Sequence, residues 1–322
     1  MKKKSVSILL ILLIFLSTSI ILLYEMVISN KSIAENKNIE TNSEISITHI
    51  GKGEQYLDLM YKPLGNDGLK LDFYAPLKSE KETWPVIVYI HGGSWAYGNK
   101  GFSENLMPLI NKLREEGYAL VSIEYRLASE EIVFPSPVED CKDALRWLYK
   151  NKDKYNIDTN NIGLLGVSSG GHLALLTAYS NEDDFIGDNE LSSYKSKVKY
   201  VIDYSGPTNF DIEKVKTSEE NSINIVKNFL GKDNLFNENI LKAASATNYI
   251  NRDSPPTLII HGENDTLVPI SQSIELYERG KKEGMDIKLL KIPNGDHMLS
   301  NITYLDIIKI AKETLSFVES KQ

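Results

Sequence analysis

The chain has 322 residues, of which 42% are hydrophobic and 25% charged, enough apolar material for one large mixed domain and too much for a disordered sequence. Its formal net charge is −8, and residues 1–30 contribute +2, so the remainder carries −10; an acidic body with no basic stripe excludes nucleic acid as a partner. The single cysteine, Cys141, rules out an intrachain disulfide and a cysteine-based zinc site, and its helical apolar neighbours make it a small packing residue.

Lys2, Lys3 and Lys4 precede an uncharged, Ile- and Leu-rich run from Ser5 to Tyr24. Twenty such residues can cross a bilayer as a helix, with the lysines held in the cytoplasm. Residues 1–28 are therefore expected to form a signal anchor. A cleaved signal peptide is the alternative, since the densest run, Ile8 to Leu16, has the length of a signal-peptide core. Residues 29–44, rich in Asn, Ser, Glu and Lys, predict a flexible tether, and 45–322 a folded domain outside the cytoplasm, membrane-held or secreted.

Along that domain, Ile45–Thr48 and Leu69–Phe73 alternate apolar and polar as half-buried strands do. Val86–Ile90, Ala119–Tyr125, Ile162–Val167, Val198–Tyr204, Thr257–Ile260 and Ile287–Ile292 predict further strands. Between them come helical spacings at Leu106–Leu113, with Gly117 as a stop, then from Pro137 through Leu148, Leu173–Tyr179 and Ile274–Lys281, with a last helix over Tyr304–Phe317. Strands alternating with helices of this length imply an α/β fold, a mostly parallel, doubly wound central sheet flanked by helices. Functional residues then gather beyond the carboxyl ends of the strands. The polar, helical stretch at about 207–250 interrupts the alternation and is expected to be a small cap insertion.

Gly166-Val167-Ser168-Ser169-Gly170 matches the G-x-S-x-G nucleophile elbow, and a strand precedes it and a helix follows, as the turn requires. The two glycines relieve a turn too tight for side chains, and the helix N-terminus favours negative charge near Ser168. A serine nucleophile needs a base, and the base an orienting carboxylate. Of five histidines, His297 lies in a glycine-containing loop between the last strand and the last helix and is the expected base. His172 reads as a packing or hydrogen-bonding residue, and His261 as a brace for the turn after its strand. Asp265 is the expected acid, completing the chain order Ser168, Asp265, His297; Glu263 competes in the same turn, and Asp296 adjoins the histidine. His91-Gly92-Gly93-Ser94-Trp95 follows the Val86 strand where an oxyanion loop belongs. Gly93, Ser94 and Ser169 are expected to supply backbone N–H donors, with Gly92 shaping the turn, and Trp95 and Tyr97 to line a substrate pocket. This chemistry calls for no metal and no cofactor.

Together these residues resemble the esterase/lipase branch of the α/β-hydrolase fold that includes hormone-sensitive-lipase-like and bacterial acetyl and feruloyl esterases. The likeness spans about residues 70–315: His91–Trp95, Tyr125-Arg126-Leu127-Ala128, Phe134-Pro135 with Asp140, Ala144–Leu148, Gly166–Ala174 and His261–Pro269. It implies a serine carboxylesterase acting on a small-molecule ester of a short-chain or aromatic acid through an acyl-enzyme, with His91 bracing the oxyanion loop. Two departures stand out: Ser94 occupies a position where relatives often carry a third glycine, and Ser129 one where a proline is common. An amidase, formamidase or serine peptidase of the same fold, and a non-catalytic binding module on a hydrolase scaffold, remain open alternatives.

Overall fold

The computed structural model describes residues 53–211, 213 and 220–322; the expected anchor, the tether and the Ile45–Thr48 strand lie outside the described residues. Among the described residues no helix is long and apolar enough to cross a membrane.

Eight strands form one sheet in the order β1-β2-β4-β3-β5-β6-β7-β8. They are β1 (Gln55–Leu64), β2 (Asp67–Tyr74), β3 (Trp84–Ile90), β4 (Ala119–Ile123), β5 (Ile157–Val167), β6 (Tyr200–Tyr204), β7 (Thr257–Gly262) and β8 (Ile287–Ile292). From β4 onward every neighbour pair is parallel, and β2 pairs antiparallel with both β1 and β4. The inner strands are buried along nearly their whole length, as strands covered on both faces must be.

Helices cover the two faces. On one side lie α1 (Met107–Glu115) and α7 (Tyr304–Glu319), which bury Ile110, Leu113, Phe317 and Val318 against Ile87, Leu120 and Ile202. On the other lie α2 (Ser136–Lys150) and α3 (Ser169–Tyr179), which bury Val138, Leu145, Leu173 and Leu176 against Val86, Val121 and Leu164. The expected mostly parallel, doubly wound sheet is therefore present, and the helix predicted at Ile274–Lys281 is α6 (Ser271–Lys282). Between β6 and β7, in the stretch expected to be a cap, lie α4 (Glu220–Leu230) and α5 (Glu238–Ala244).

The sequence reading overlooked β1. Its pairing with β2 shifts register between Tyr56 and Leu59 and again between Met60 and Lys62, so its buried side chains do not recur every second residue. It also ends in charge rather than in apolar contact. Lys62 Nζ donates to Asp140 Oδ1 at 2.7 Å and Asp143 Oδ2 at 2.8 Å, both carboxylates standing on α2 with fully buried side chains. Arg126 forks onto the same Asp140, with Nε 2.8 Å from Oδ2 and Nη2 2.8 Å from Oδ1. This pins both the edge strand and the Tyr125–Ala128 segment to α2. Asp140→Ala should destabilise the protein by about 3 kcal/mol, the lower end for breaking a buried pair, because Lys62 keeps Asp143 and Arg126 keeps Glu139. Urea midpoints of the two proteins measure it; an unchanged midpoint would show that the network contributes nothing net.

Candidate active site

The site lies beyond the carboxyl ends of β3, β5, β7 and β8. At the end of β5 the chain turns into α3 within one residue, Ser168, whose φ of 54° and ψ of −121° are strained for a side-chain-bearing residue. The glycine spacing has a direct steric cause. A Cβ on Gly166 would lie 2.2 Å from the Gly170 carbonyl oxygen, and one on Gly170 would lie 2.1 Å from the Ile90 carbonyl oxygen. The Ser168 N–H donates to the Tyr204 carbonyl at 2.7 Å, which ties the elbow to β6.

His297 reaches the elbow from three strands away because the turns after β7 and β8 are locked together. Gly262 and Gly295 meet so closely that a Cβ on Gly262 would lie 2.2 Å from the Gly295 oxygen, and the Asn264 N–H donates to that oxygen at 2.9 Å. The result joins three residues that the sequence separates widely: Ser168 Oγ is 2.8 Å from His297 Nε2, and His297 Nδ1 is 2.7 Å from Asp265 Oδ2. A carboxylate can only accept, so Nδ1 carries a proton and Nε2 is left to take one from the serine hydroxyl.

Of the three candidate carboxylates, Asp265 is the one that meets His297. Burial by itself raises its proton affinity, but hydrogen bonds from His261 and His297, and from the Val268 N–H, outweigh that and hold the carboxyl well below the usual carboxylate range. Its Oδ1 accepts the N–H groups of Leu267 and Val268, each at 2.9 Å. Glu263 points to solvent, and Asp296 turns away to accept the Ser300 N–H at 2.8 Å.

The loop after β3 packs against the elbow. A Cβ on Gly92 would meet the Val167 carbonyl oxygen at 2.9 Å, so only glycine fits there. Gly93, Ser94 and Trp95 all have positive φ, and the Gly93 oxygen accepts the N–H groups of Ala96 and Tyr97 in a tight turn. Ser169 opens α3 directly behind the serine. His91 braces this loop as expected: Nδ1–H donates to the Gly92 oxygen at 2.8 Å, and its ring stacks on Tyr125 at 4.3 Å, whose hydroxyl donates to the His91 oxygen. Burial pushes His91 down to about 4, so the ring stays neutral near pH 7, held between the Gly92 oxygen and Tyr125.

Trp95 requires a correction. It was expected in the wall of a substrate pocket, yet it is 3% exposed, with its ring stacked on Phe229 of α4 at 4.2 Å and its Nε1–H donating to His172 Nδ1 at 3.1 Å. A buried indole needs an acceptor for its N–H, and His172 supplies one while donating Nε2–H to the Ala244 oxygen of α5. Trp95 therefore ties the loop to α3 and to the insertion. Tyr97 is the exposed aromatic of the pair, at 73%.

Known proteins resemble this chain in sequence and fold. Esterase LipQ of Mycobacterium tuberculosis is 28% identical over 245 residues, covering 76% of this chain and 57% of LipQ. The chain spans about half the length of the curated relatives it matches. A truncated carbohydrate esterase from gut microbiota superposes with a TM-score of 0.72 at 26% identity, covering 84% of this chain and 98% of that one. A bifunctional GH43-CE protein of Bacteroides eggerthii gives 0.70 at 27% identity, covering 82% of this chain and 38% of that one. These neighbours bear out the α/β-hydrolase fold. The BD-FAE family profile matches residues 71–279, a stretch that runs from β2 through the elbow and the Asp265 turn into α6, and the chain belongs to the BD-FAE family.

Proposed function

We propose that this protein is a serine carboxylesterase that cleaves short-chain or aromatic acyl groups from carbohydrate alcohols. The observation that carries this reading is the continuous Ser168–His297–Asp265 hydrogen-bond chain, with the serine on a strained elbow. The carbohydrate half of the substrate is suggested by the carbohydrate esterase from gut microbiota, of whose truncated form this chain covers 98%.

In the reaction, His297 Nε2 takes the Ser168 proton as Oγ attacks the ester carbonyl carbon. The N–H groups of Gly93, Ser94 and Ser169 receive the oxyanion of the tetrahedral intermediate, each such donor worth about 2.7–4 kcal/mol in transition-state stabilisation. His297 then gives its proton to the departing alkoxide, leaving an acyl group on Oγ. Water, deprotonated by the same nitrogen, releases the acid and restores the hydroxyl. Asp265 keeps the imidazole in the correct tautomer throughout. The insertion carrying α4 and α5 borders the site as its cap, Tyr97 contacts the alcohol portion, and the N-terminal run holds the domain at the outer face of a membrane.

The test uses the full-length protein in detergent. It should react with a fluorophosphonate probe and hydrolyse p-nitrophenyl acetate and butyrate faster than long-chain esters, and it should release acid from acetylated or feruloylated oligosaccharides. Absence of probe labelling would point to a binding module instead, and faster cleavage of anilides than of esters to an amidase. Protease accessibility of the domain on intact cells tests the outward orientation.

A further inference from the structure

Asp265 Oδ2, the oxygen that holds His297, has a second imidazole on it. His261, the penultimate residue of β7 and fully buried, places Nε2 3.0 Å from that oxygen and 2.8 Å from the Val268 carbonyl oxygen. A carbonyl only accepts, so Nε2 carries the proton and donates to both. In the neutral ring Nδ1 is then an acceptor, and Ser273 Oγ, buried in the first turn of α6, lies 2.6 Å from it. The line of contacts thus runs Ser168–His297–Asp265–His261–Ser273.

A brace for the turn would need only part of this. The Val268 oxygen, and the Leu267 and Val268 N–H groups on Oδ1, already fix the 262–268 turn. The contact that remains unexplained by bracing is the one on Oδ2, where His261 shares the negative charge that His297 also sees. A hydrogen bond to a carboxylate disperses its charge and weakens its hold on a neighbouring cation.

We propose that His261, with its ring steadied by Ser273, is a positioning residue that tempers the pull of Asp265 on His297 and thereby sets the pH below which the serine loses its base. For its kinetic readout this rests on the esterase reading above. The charged and titratable groups around the relay are few among the described residues. His297 faces Ser168 and Asp265, with Asp296 beside it in the chain but turned to Ser300. His261 faces Asp265 and, from α6, Ser273. From the neighbouring β6 it feels Asp203, a fully buried carboxyl that accepts the Gly206 N–H.

Removing the His261 donor leaves more negative charge on Oδ2, which favours the His297 imidazolium. The acidic limb of the kcat/KM profile should therefore move to higher pH, by about half a unit to one unit in His261→Leu. His261→Gln, whose amide N–H can take the place of Nε2–H, should return the limb toward the wild-type position. Ser273→Ala, which removes the hydrogen bond that steadies the ring at Nδ1 and keeps the imidazole, should loosen the Nε2–H contact with Oδ2 and give a smaller shift in the same direction. Repeating the pair in an Asp203→Asn background removes that carboxyl's own titration from the comparison. A loss of kcat with the limb unmoved in both His261→Leu and Ser273→Ala would overturn the proposal and leave His261 a structural brace. Should His261→Leu fail to fold, Ser273→Ala decides alone. An independent readout is the ring titration of His297 in full-length protein labelled with 15N-histidine, whose midpoint should move by the same amount. That measurement stands even if the protein hydrolyses no ester, so failure of the esterase reading and failure of this proposal are distinguishable.

Discussion

Ser168→Ala should lower kcat for p-nitrophenyl acetate by about 10⁶-fold while leaving the fold intact, because serine and histidine act as a unit in such relays. The substitution removes one oxygen and nothing else that the structure uses. The Ser168 N–H still bonds to the Tyr204 carbonyl, and Gly166 and Gly170 still permit the turn. Lost are the atom that attacks and the partner of His297 Nε2 at 2.8 Å. The residual rate, carried by oxyanion donors and binding, should stay above that of water alone. Circular dichroism and the thermal midpoint should be close to wild type. A variant keeping more than about a tenth of wild-type activity would exclude Ser168 as nucleophile, since no second group could replace it so well.

The second large effect separates two carboxylates in one turn. Asp265→Asn should reduce kcat by about 10⁴-fold, whereas Glu263→Gln should be close to wild type. The cause is the tautomer rather than the loss of charge alone. Asp265 Oδ2 accepts from both His297 Nδ1 and His261 Nε2, and an asparagine amide NH₂ at that position offers protons where acceptors are needed. With the amide nitrogen toward His297, its proton moves to Nε2, and the ring can no longer take one from Ser168. Glu263 is exposed and far from this exchange in role, though only two residues away in sequence. The reverse result, activity lost in Glu263→Gln and kept in Asp265→Asn, would reassign the acid.

Local pattern accounts for much of what could be read in advance. The strands β3 and β8 follow from short runs of apolar and alternating residues, and the elbow from two glycines whose spacing the turn itself demands. The order Ser168, Asp265, His297 follows from which loops end which strands. Each of these depends on contacts within a few residues, so each leaves a trace in a short window of sequence. The irregular register of β1 shows the limit: once the pairing slips, the period of two that marks a strand disappears.

What tertiary structure alone decided are the partners that come from afar. Trp95 resembles a pocket aromatic in its own loop, and it is buried because Phe229 and His172, far along the chain, close over it. Lys62 looks like an ordinary surface lysine until α2 brings Asp140 and Asp143 to it. His261 sits beside Asp265 in sequence, yet its hold on the same oxygen as His297 exists only because the turns after β7 and β8 interlock through Gly262 and Gly295. Sequence by itself therefore determined the fold class and the residue types able to do the chemistry, since backbone periodicity and turn sterics are local. The hydrogen bonds that set Asp265 apart from Glu263, and the choice between a wall of the site and its scaffolding, required the folded chain, because hydrogen bonds and burial depend on which distant segments meet.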